Sequence, residues 1–328
     1  MRIKDYVLYL KAFIKARYFG IKTPLLIGWD LTYRCNCNCK YCGISSENSV
    51  ELSTTGILSL LSEFVSFGLK RIHFGGGEPL LREDLDKILG FCKQRRIFIT
   101  VLTNGILLKE RLPAIKNADL VEISLDGPES VHDSLRKIGS FNKAISAIGL
   151  AKGHRLNVAI NSTLSAYNLD CIDFILKTAK DFRVRVKFQP VNSLLAGDKD
   201  MKSLFCPDLE YSRAIRKIMD IKKRRVNSGI INSISGLQYL LNYSRYSSVK
   251  CCAGLLYFRI TPEGKLYPCS ARLEEVYRTR GGSLNLKDAM AMIDPQTCGR
   301  CLCSSTLELN AMYSLKIRAI KNLICSAK

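Results

Sequence analysis

Three cysteines, Cys35, Cys39 and Cys42, are the residues of this sequence that most clearly predict chemistry. Their spacing is C-x₃-C-x₂-C. Three thiolates in one loop can bind three irons of a cubane iron–sulfur cluster and leave the fourth iron open to a substrate or cosubstrate. Zinc is the alternative, with Cys37 as a further ligand, although structural zinc usually takes four ligands arranged in two pairs.

A glycine-rich motif, GGGEP at positions 75–79, follows a short β-type run and accompanies the cysteines. Together they resemble the radical S-adenosylmethionine (SAM) superfamily, whose cluster loop follows the first barrel strand and carries an aromatic residue before its last cysteine. Tyr41 occupies that place here. The resemblance implies a SAM-binding [4Fe–4S] cluster. It also implies that Gly76, Gly77 and Glu78 hold the amino group of the SAM methionine.

A third motif, VEISLDGP at positions 121–128, is followed by His132 and Arg136. It resembles the fourth-strand region of the branch that modifies peptides and builds cofactors, which implies that Ser124 and Arg136 contact SAM. A guanidinium can clamp a carboxylate and a hydroxyl can bind a ribose. The other interpretation of Arg136 is a solvated charge on a helix. Asn104, in the TNG motif after the third predicted strand, is expected to line the same pocket.

The resemblance also implies a mechanism and a partner. SAM chelates the open iron, and an electron from the reduced cluster breaks a carbon–sulfur bond. The resulting 5′-deoxyadenosyl radical then abstracts hydrogen from an unactivated carbon of the substrate. The cofactors carry this chemistry, while the protein orients them and excludes water. A reducing partner such as flavodoxin or ferredoxin is expected to supply the electron.

A second group of cysteines lies near the end of the sequence. It resembles the auxiliary-cluster extensions called SPASM and twitch, and Gly264 suits a hairpin turn between the first two cysteines. The resemblance implies one auxiliary [4Fe–4S] cluster, since a two-cluster module has about seven cysteines. A zinc ribbon is the alternative, and Cys37, Cys206, Cys251 and Cys303 are spare thiols without an assigned role. The expected ligands of the second cluster are Cys252, Cys269, Cys298 and Cys301.

Short β-type runs alternate with helical stretches over residues 24–190. Six β–α repeats predict parallel strands with right-handed crossovers, which a doubly wound sheet and an incomplete barrel both satisfy. The family resemblance implies the latter, an α/β fold with an incomplete (β/α)₆ TIM-like barrel and a small C-terminal Cys-rich module. The predicted strands cover 25–29, 71–74, 97–102, 120–125, 158–164 and 184–188. Polar motifs follow these runs, so the chemistry is expected at the carboxyl ends of the strands.

Four segments are expected along the chain. Residues 1–23 form a basic amphipathic helix, 24–205 the partial barrel, 206–246 a helical connection and 247–328 the auxiliary-cluster module. Only some 24 residues precede the first predicted strand, too few for an N-terminal peptide-recognition domain. This length counts against a peptide substrate.

The chain is basic, with 50 Lys and Arg against 29 Asp and Glu and a formal net charge of +21. Such an excess favours a polyanionic partner, although a solvated basic surface is the alternative. In the first helix, Val7, Leu10, Ile14 and Tyr18 share one face, beside Lys11 and other basic residues. This pattern is typical of a helix in a membrane interface, and packing on the protein's own core is the alternative. No apolar run reaches the roughly 18 residues of a spanning helix.

The substrate predicted at this point is a lipid-linked or phosphorylated small molecule, bound by a cytoplasmic enzyme that associates peripherally with the inner face of the membrane. The alternatives are a peptide or protein maturase of the SPASM type and a radical SAM enzyme that modifies RNA. Nucleic acid ranks lower because no RNA-binding module accompanies the charge. A non-enzymatic iron–sulfur electron carrier gives the glycine motif, Ser124 and Arg136 no role.

Overall fold

A computed structural model describes seven parts of the chain, namely residues 3–44, 49–191, 202–224, 228–241, 249–270, 285–295 and 303–315. For residues 3–7, the description is limited to the backbone. Within these parts the order of strands and helices alternates from β1 to β6, as the six predicted β–α repeats require. The described helices include none that is long and apolar enough to cross a membrane.

Eight strands form one open sheet in the order β6-β5-β4-β3-β2-β1-β7-β8. All neighbours from β6 to β7 are parallel, and the β7–β8 pair is antiparallel. Over the described residues the sheet does not close, which confirms the expected incomplete α/β barrel. The strands are β1 (Leu26–Thr32), β2 (Arg71–Gly76), β3 (Phe98–Thr103), β4 (Leu120–Ser124), β5 (Val158–Leu164), β6 (Arg185–Pro190), β7 (Tyr257–Ile260) and β8 (Leu266–Tyr267).

The helices follow the strands as crossover connections and then continue beyond β6. Leu61 and Phe64 of the second helix and Ile88 and Leu89 of the third, for example, belong to one buried core with alternate residues of the strands. These helices therefore cover the sheet through their apolar stripes. The helices are α1 (Ile3–Phe19), α2 (Thr54–Ser66), α3 (Leu85–Gln94), α4 (Leu108–Arg111), α5 (Glu129–Leu135), α6 (Ser140–Gly153), α7 (Ile172–Asp181), α8 (Asp208–Arg224), α9 (Ile234–Leu241), α10 (Leu286–Met292) and α11 (Ser304–Tyr313).

The C-terminal hairpin forms as the sequence predicts, with Gly264 in its turn at φ +83° and its amide donating to the Thr261 carbonyl at 2.9 Å. Its first strand, β7, pairs in parallel with β1. The hairpin thus extends the barrel sheet rather than forming a sheet of its own. The sequence pattern did not indicate this pairing, because β1 and β7 lie more than 200 residues apart.

Helix α1 packs against the molecule through Tyr9, Ala12 and Ala16, which are buried in a second core with Cys252, Leu256 and other residues of the C-terminal part. The Arg17 guanidinium donates to the Tyr313 carbonyl at 2.8 Å. The predicted face of Leu10, Ile14 and Tyr18 is a different one and is exposed. Packing on the protein's own core is therefore confirmed for one face of the helix, and the membrane-interface interpretation stays a prediction for the exposed face. The side chain of Val7 lies outside the described residues.

Candidate active site

The predicted site residues of the barrel meet at the carboxyl edge of the sheet, around an open cavity of ≈ 170 Å³. The segment 33–43, here called the cluster loop, follows β1. The glycine motif follows β2, Asn104 follows β3, and Ser124 ends β4. The cavity is lined by Cys35, Cys37, Cys39, Tyr41, Cys42, Ile44, Gly75, Gly76, Gly77, Glu78, Leu102, Thr103, Asn104, Ser124, Arg136, Asn161, Thr163 and Gln189.

The cluster loop is held in shape by its own backbone and by α5. The Cys42 amide donates to the Cys39 carbonyl at 3.1 Å, and the Lys40 amide donates to the Leu135 carbonyl at 2.8 Å. The Cys37 amide donates to the sulfur of Cys35 at 3.4 Å. Cys39 is buried, whereas Cys35 and Cys42 are partly exposed to the cavity. The loop thus presents its three predicted ligands on one side of the cavity.

The chemistry of these thiols fits a group that brings positive charge. Burial raises the pKa of Cys35 to about 11, because little water remains to solvate its thiolate. A hydrogen bond to Cys39, together with burial, raises the pKa of the Cys37 thiol. Cationic iron would offset these costs. Among the described residues, no three potential ligands converge on a single metal ion. A cubane needs no such convergence, since each thiolate binds a different iron.

The glycine motif lies directly against the cluster loop. The Gly77 amide donates to the Thr32 carbonyl at 2.7 Å, and the Glu78 amide donates to the Arg34 carbonyl at 2.9 Å. A Cβ atom on Gly77 would lie 2.7 Å from the Tyr33 carbonyl oxygen, closer than real Cβ atoms approach. Gly77 is therefore required for this contact. The two motifs form one unit in which the backbone of β2 supports the cluster loop.

Glu78 is 1% exposed and joins this unit to the end of β3. Its carboxylate accepts hydrogen bonds from the Thr103 hydroxyl at 2.8 Å, the Asn104 amide at 2.8 Å and the Leu80 amide at 3.1 Å. Burial raises its pKa to about 7, and these three donors oppose the rise. An ammonium group in the cavity would stabilise the charged form further.

Tyr41, Asp126 and Arg136 form a buried group, here called the pocket trio. Asp126 accepts from the Tyr41 hydroxyl at 2.7 Å and from the Arg136 Nε at 2.6 Å. Burial by itself would raise the pKa of Asp126, but Arg136 holds it below its usual value. An Arg136 terminal nitrogen lies 3.9 Å from the Cys39 sulfur. Arg136 is therefore a buried residue of the cavity wall and not a solvated helix charge. The sequence argument missed Asp126.

Two asparagines also belong to the wall, and the sequence predicted only Asn104 of the two. Asn161 on β5 is 5% exposed, lines the cavity, and has a side-chain oxygen without a hydrogen-bond partner. An orphaned acceptor beside Ser124 suits a hydroxyl donor such as a ribose. Asn104, a predicted cavity residue, donates to the side-chain oxygen of Asn36 in the cluster loop at 2.7 Å. Asn104 thus positions the loop as well as lining the cavity.

Arg82, three residues after the glycine motif, anchors the start of the cluster loop. It is 6% exposed and donates to the carbonyls of Leu31 at 3.2 Å and Leu52 at 3.1 Å. Its charge is balanced by Glu51 at 3.0 Å and Asp84 at 2.8 Å. No local sequence pattern indicates this role, because Leu31, Glu51 and Leu52 lie 30 or more residues from Arg82 in the chain.

A second buried group, here called the junction trio, consists of Asp30, Arg259 and Tyr267. Asp30 pairs with the Arg259 guanidinium and accepts from the Tyr267 hydroxyl at 2.9 Å. Arg259 also donates to that hydroxyl at 2.9 Å and to the Ser270 hydroxyl at 2.9 Å. This trio joins the C-terminal hairpin to β1, just before the cluster loop.

The second cysteine group is described only in part. Cys252 is buried, and Cys251 and Cys269 pack against the same core. Burial raises the pKa of Cys252, and the neighbouring thiols of Cys251 and Cys269 raise it further. Cys303 and Cys269 both lie near enough to Tyr257 to raise its pKa. Cys298 and Cys301, the other two predicted ligands, lie outside the described residues.

Comparison with protein families and proteins of known activity gives a consistent result. The family model described as the radical SAM superfamily matches residues 29–179. The chain is 25% identical over 299 residues to mycofactocin maturase MftC of Mycolicibacterium smegmatis, covering 86% of this chain and 76% of the relative. It is 27% identical over 270 residues to PqqA peptide cyclase of Rhodopseudomonas palustris, covering 78% and 69%.

A further relative and a solved structure extend the comparison. GTP 3′,8-cyclase of Clostridium acetobutylicum is 30% identical over 264 residues, covering 75% of this chain and 81% of the relative. The structure of Streptococcus suis SuiB bound to precursor peptide SuiA superposes with a TM-score of 0.67 at 16% identity, covering 84% of this chain and 67% of that one. At that identity the superposition shows a shared fold.

Proposed function

Because the chain belongs to the radical SAM superfamily, we propose that its cavity binds a [4Fe–4S] cluster through Cys35, Cys39 and Cys42, with SAM beside it. In this superfamily a reduced cluster and SAM supply a radical that removes hydrogen from a substrate carbon. The observation that carries the site assignment is the meeting of the cluster loop, the glycine motif and Ser124 in one cavity. The wall residues hold and orient these groups, and the covered sheet excludes water from the far side.

Each part of the wall has a proposed role. The backbone of Gly76 and Gly77 with the carboxylate of Glu78 receives the SAM ammonium. Ser124 and the orphaned oxygen of Asn161 receive the ribose hydroxyls. Arg136 attracts the methionine carboxylate with its terminal nitrogens while Asp126 fixes its Nε. Tyr41 and Asn104 hold the loop that carries the cysteines.

We propose a peptide or protein side chain as the substrate. The support is the similarity to PqqA peptide cyclase, an enzyme named for a peptide substrate, over 78% of this chain. The SuiB structure with a precursor peptide adds only the fold. The small-molecule substrate that the charge of the sequence favoured becomes the second candidate. The short N-terminal segment, which counted against a peptide in the sequence, is outweighed by this similarity.

One observation favours the second candidate, a phosphorylated small molecule. Side chains alternate along strands, so Arg71, His73, Arg185 and Lys187 face away from the helices, on the inner side of the sheet and toward the amino ends of β2 and β6; they do not line the cavity itself. Burial lowers the pKa of His73, and the nearby charges of Arg71, Lys187 and Arg259 lower it further. Lys187 pairs with Glu122, whereas no described carboxylate pairs with Arg71 or Arg185. The relative GTP 3′,8-cyclase has a phosphorylated substrate in its name.

The auxiliary cluster is also a proposal. Cys252 and Cys269 are the described members of its predicted ligand set, and the hairpin that carries them extends the barrel sheet. A second [4Fe–4S] cluster there would accept an electron from the substrate or shape the pocket. An acidic electron carrier such as flavodoxin or ferredoxin would complement the net charge of +21.

Iron content tests both clusters. Anaerobically reconstituted protein should hold about eight irons, four in each cubane. The triple variant Cys35→Ala/Cys39→Ala/Cys42→Ala should retain about four irons and form no 5′-deoxyadenosine. The double variant Cys252→Ala/Cys269→Ala should also retain about four irons and still cleave SAM. Cys92→Ala, at a buried cysteine of the helix layer, is the matched control and should lose none. Stoichiometric zinc in the intact protein would contradict the auxiliary cluster.

The substrate class can be tested with one extract. The enzyme, SAM and reductant are incubated with extract divided into three portions, one treated with protease, one with phosphatase and one untreated. A peptide substrate predicts that protease alone abolishes the stimulation of 5′-deoxyadenosine formation. A phosphorylated small molecule predicts that phosphatase alone abolishes it. Stimulation that survives both treatments would contradict both candidates.

A further inference from the structure

Helix α1 carries an unusual concentration of exposed apolar side chains. Of the thirteen large apolar side chains exposed in the described residues, six lie between Leu8 and Ile21. Leu10, Ile14 and Tyr18 are 59%, 43% and 67% exposed. They are spaced four residues apart and form one line along the helix, here called the helix stripe. Single exposed apolar residues need no explanation, but an aligned group on one helix does.

The helix stripe is a second apolar face and not the edge of the packed one. Tyr9, Ala12 and Ala16 form the face buried against the molecule. At 100° per residue, Leu10, Ile14 and Tyr18 project on the opposite side of the helix. A helix that is apolar on both sides normally has both sides covered. The packing inside the protein accounts for only one of them.

Basic residues border the helix stripe. Lys11 and Lys15 follow Leu10 and Ile14 directly, and both are exposed. At 100° per residue, both lysines lie between the helix stripe and the buried face of the helix. Their long aliphatic stems can extend along the apolar side chains there while the ammonium groups stay in water. Tyr18 combines an apolar ring with a hydroxyl that can remain in water, which is typical of a position at the membrane boundary. No acidic residue occurs in the described part of α1 beyond Asp5.

We propose that the helix stripe docks the enzyme on the surface of an anionic lipid bilayer. The stripe enters the boundary between headgroups and acyl chains, and Lys11 and Lys15 contact the anionic headgroups. Contact between two copies of this chain through the same face would bring the lysines of both together, in a protein with net charge +21. The charge therefore favours a lipid surface over a second copy. The helix would serve as a surface anchor, since it is not a spanning helix.

Co-sedimentation of the full-length, reconstituted enzyme with vesicles tests the proposal. Vesicles of phosphatidylcholine with phosphatidylglycerol should bind the protein, and vesicles of phosphatidylcholine alone should bind it far less. Each lysine at an anionic surface strengthens binding about fivefold, so Lys11→Gln/Lys15→Gln should weaken binding roughly 30-fold. Binding should decrease as salt rises, because the Debye length falls to about 10 Å at 0.1 M.

Matched variants distinguish binding through the helix stripe from nonspecific binding through other exposed apolar residues. Leu10→Ser should weaken vesicle binding, whereas Leu209→Ser removes a leucine of similar exposure, 64%, from α8 and should not. Leu10→Ser/Ile14→Ser/Tyr18→Ser should weaken it about tenfold or more, because the affinity scales with buried apolar area. All these variants should cleave SAM at the normal rate without vesicles, so that loss of docking is distinguishable from loss of the proposed activity.

Three outcomes would overturn the proposal. Failure of the intact enzyme to sediment with anionic vesicles at low salt would exclude docking on lipid. Binding of the triple variant as tight as that of the parent would assign docking to another surface. A dimer of the parent that the triple variant abolishes, with no affinity for vesicles, would assign the stripe to contact between copies.

Discussion

The pocket trio and the junction trio contain the same three residue types in nearly the same arrangement. In each trio, a buried aspartate forms an ion pair with an arginine and accepts a hydrogen bond from a tyrosine hydroxyl. Burial raises the pKa of both tyrosines, and the aspartate raises the pKa of both arginines above its ordinary value against the effect of burial. Only the pocket trio borders the cavity and a cysteine sulfur.

The two trios have the same residue types, so their position in the fold decides whether they line a binding site or only join two parts of the structure. The junction trio joins residues more than 200 positions apart and holds the hairpin on β1. The pocket trio joins the cluster loop to the segment after β4 and leaves the terminal nitrogens of Arg136 near the cavity. Matched substitutions in the two trios should therefore affect stability similarly and SAM binding differently.

The largest expected effect is on stability. Asp126→Ala and Asp30→Ala each leave a buried arginine without its carboxylate, and each should lower the free energy of unfolding by about 3–5 kcal/mol. Urea unfolding followed by circular dichroism under anaerobic conditions measures this. Asp126→Ala should also weaken SAM binding, because the Arg136 guanidinium is no longer fixed, and Asp30→Ala should leave SAM binding unchanged wherever the chain remains folded. Equal loss of SAM binding in both variants would remove the distinction between the trios.

Arginine substitutions sharpen the comparison at the level of ligand binding. Arg136→Gln should weaken SAM binding by about 2–5 kcal/mol, since it removes a buried charge opposite the methionine carboxylate. Arg259→Gln is the matched control and should leave the SAM dissociation constant unchanged. Equilibrium dialysis with labelled SAM measures both. An unchanged affinity in Arg136→Gln would exclude that residue from the SAM site.

Replacing the tyrosines of the two trios should lower the free energy of unfolding by a smaller amount. Tyr41→Phe and Tyr267→Phe each remove a hydrogen bond to a buried carboxylate, worth about 1.5–3 kcal/mol of unfolding free energy. Tyr41→Phe should in addition slow 5′-deoxyadenosine formation, because the ring belongs to the cluster loop. Tyr267→Phe should leave that rate unchanged. A slower rate in Tyr267→Phe alone would reverse the assignment of the two trios.

The smallest expected effect is the contribution of His132 to the pH dependence of stability. The His132 Nδ1 accepts from the Asp126 amide at 3.2 Å, and burial lowers the pKa of His132 to about 4. Between this value and the ordinary 6.5, the unfolded chain binds more protons at this histidine than the folded protein does. The free energy of unfolding therefore falls as pH falls. From pH 7.5 to 5.5 the expected loss is about 1 kcal/mol. His132→Asn keeps an acceptor without a titrating ring and should remove this part of the dependence. An unchanged dependence would show that His132 does not cause it.

The sequence by itself determined the local elements and the motifs. All six predicted strands of the barrel are present with shifts of a few residues, because the runs of buried apolar residues record which segments cross the core. The cluster loop, the glycine motif and Gly264 were visible because each requires particular residues at fixed local spacing. The close approach at Gly77, for example, excludes any other side chain.

Only the tertiary structure decided which distant residues meet. The sequence pattern indicated no role for Asp126, and the fold places it against Arg136 and Tyr41. Arg82, Asn161 and the pairing of β7 with β1 likewise carry no periodic signal. Helix α1 is another example, because both of its faces carry apolar residues. The sequence pattern does not indicate which face is buried, and the tertiary packing buries Tyr9, Ala12 and Ala16. Local patterns report the environment of a residue, whereas partners separated by many residues are selected by the packing of the whole chain.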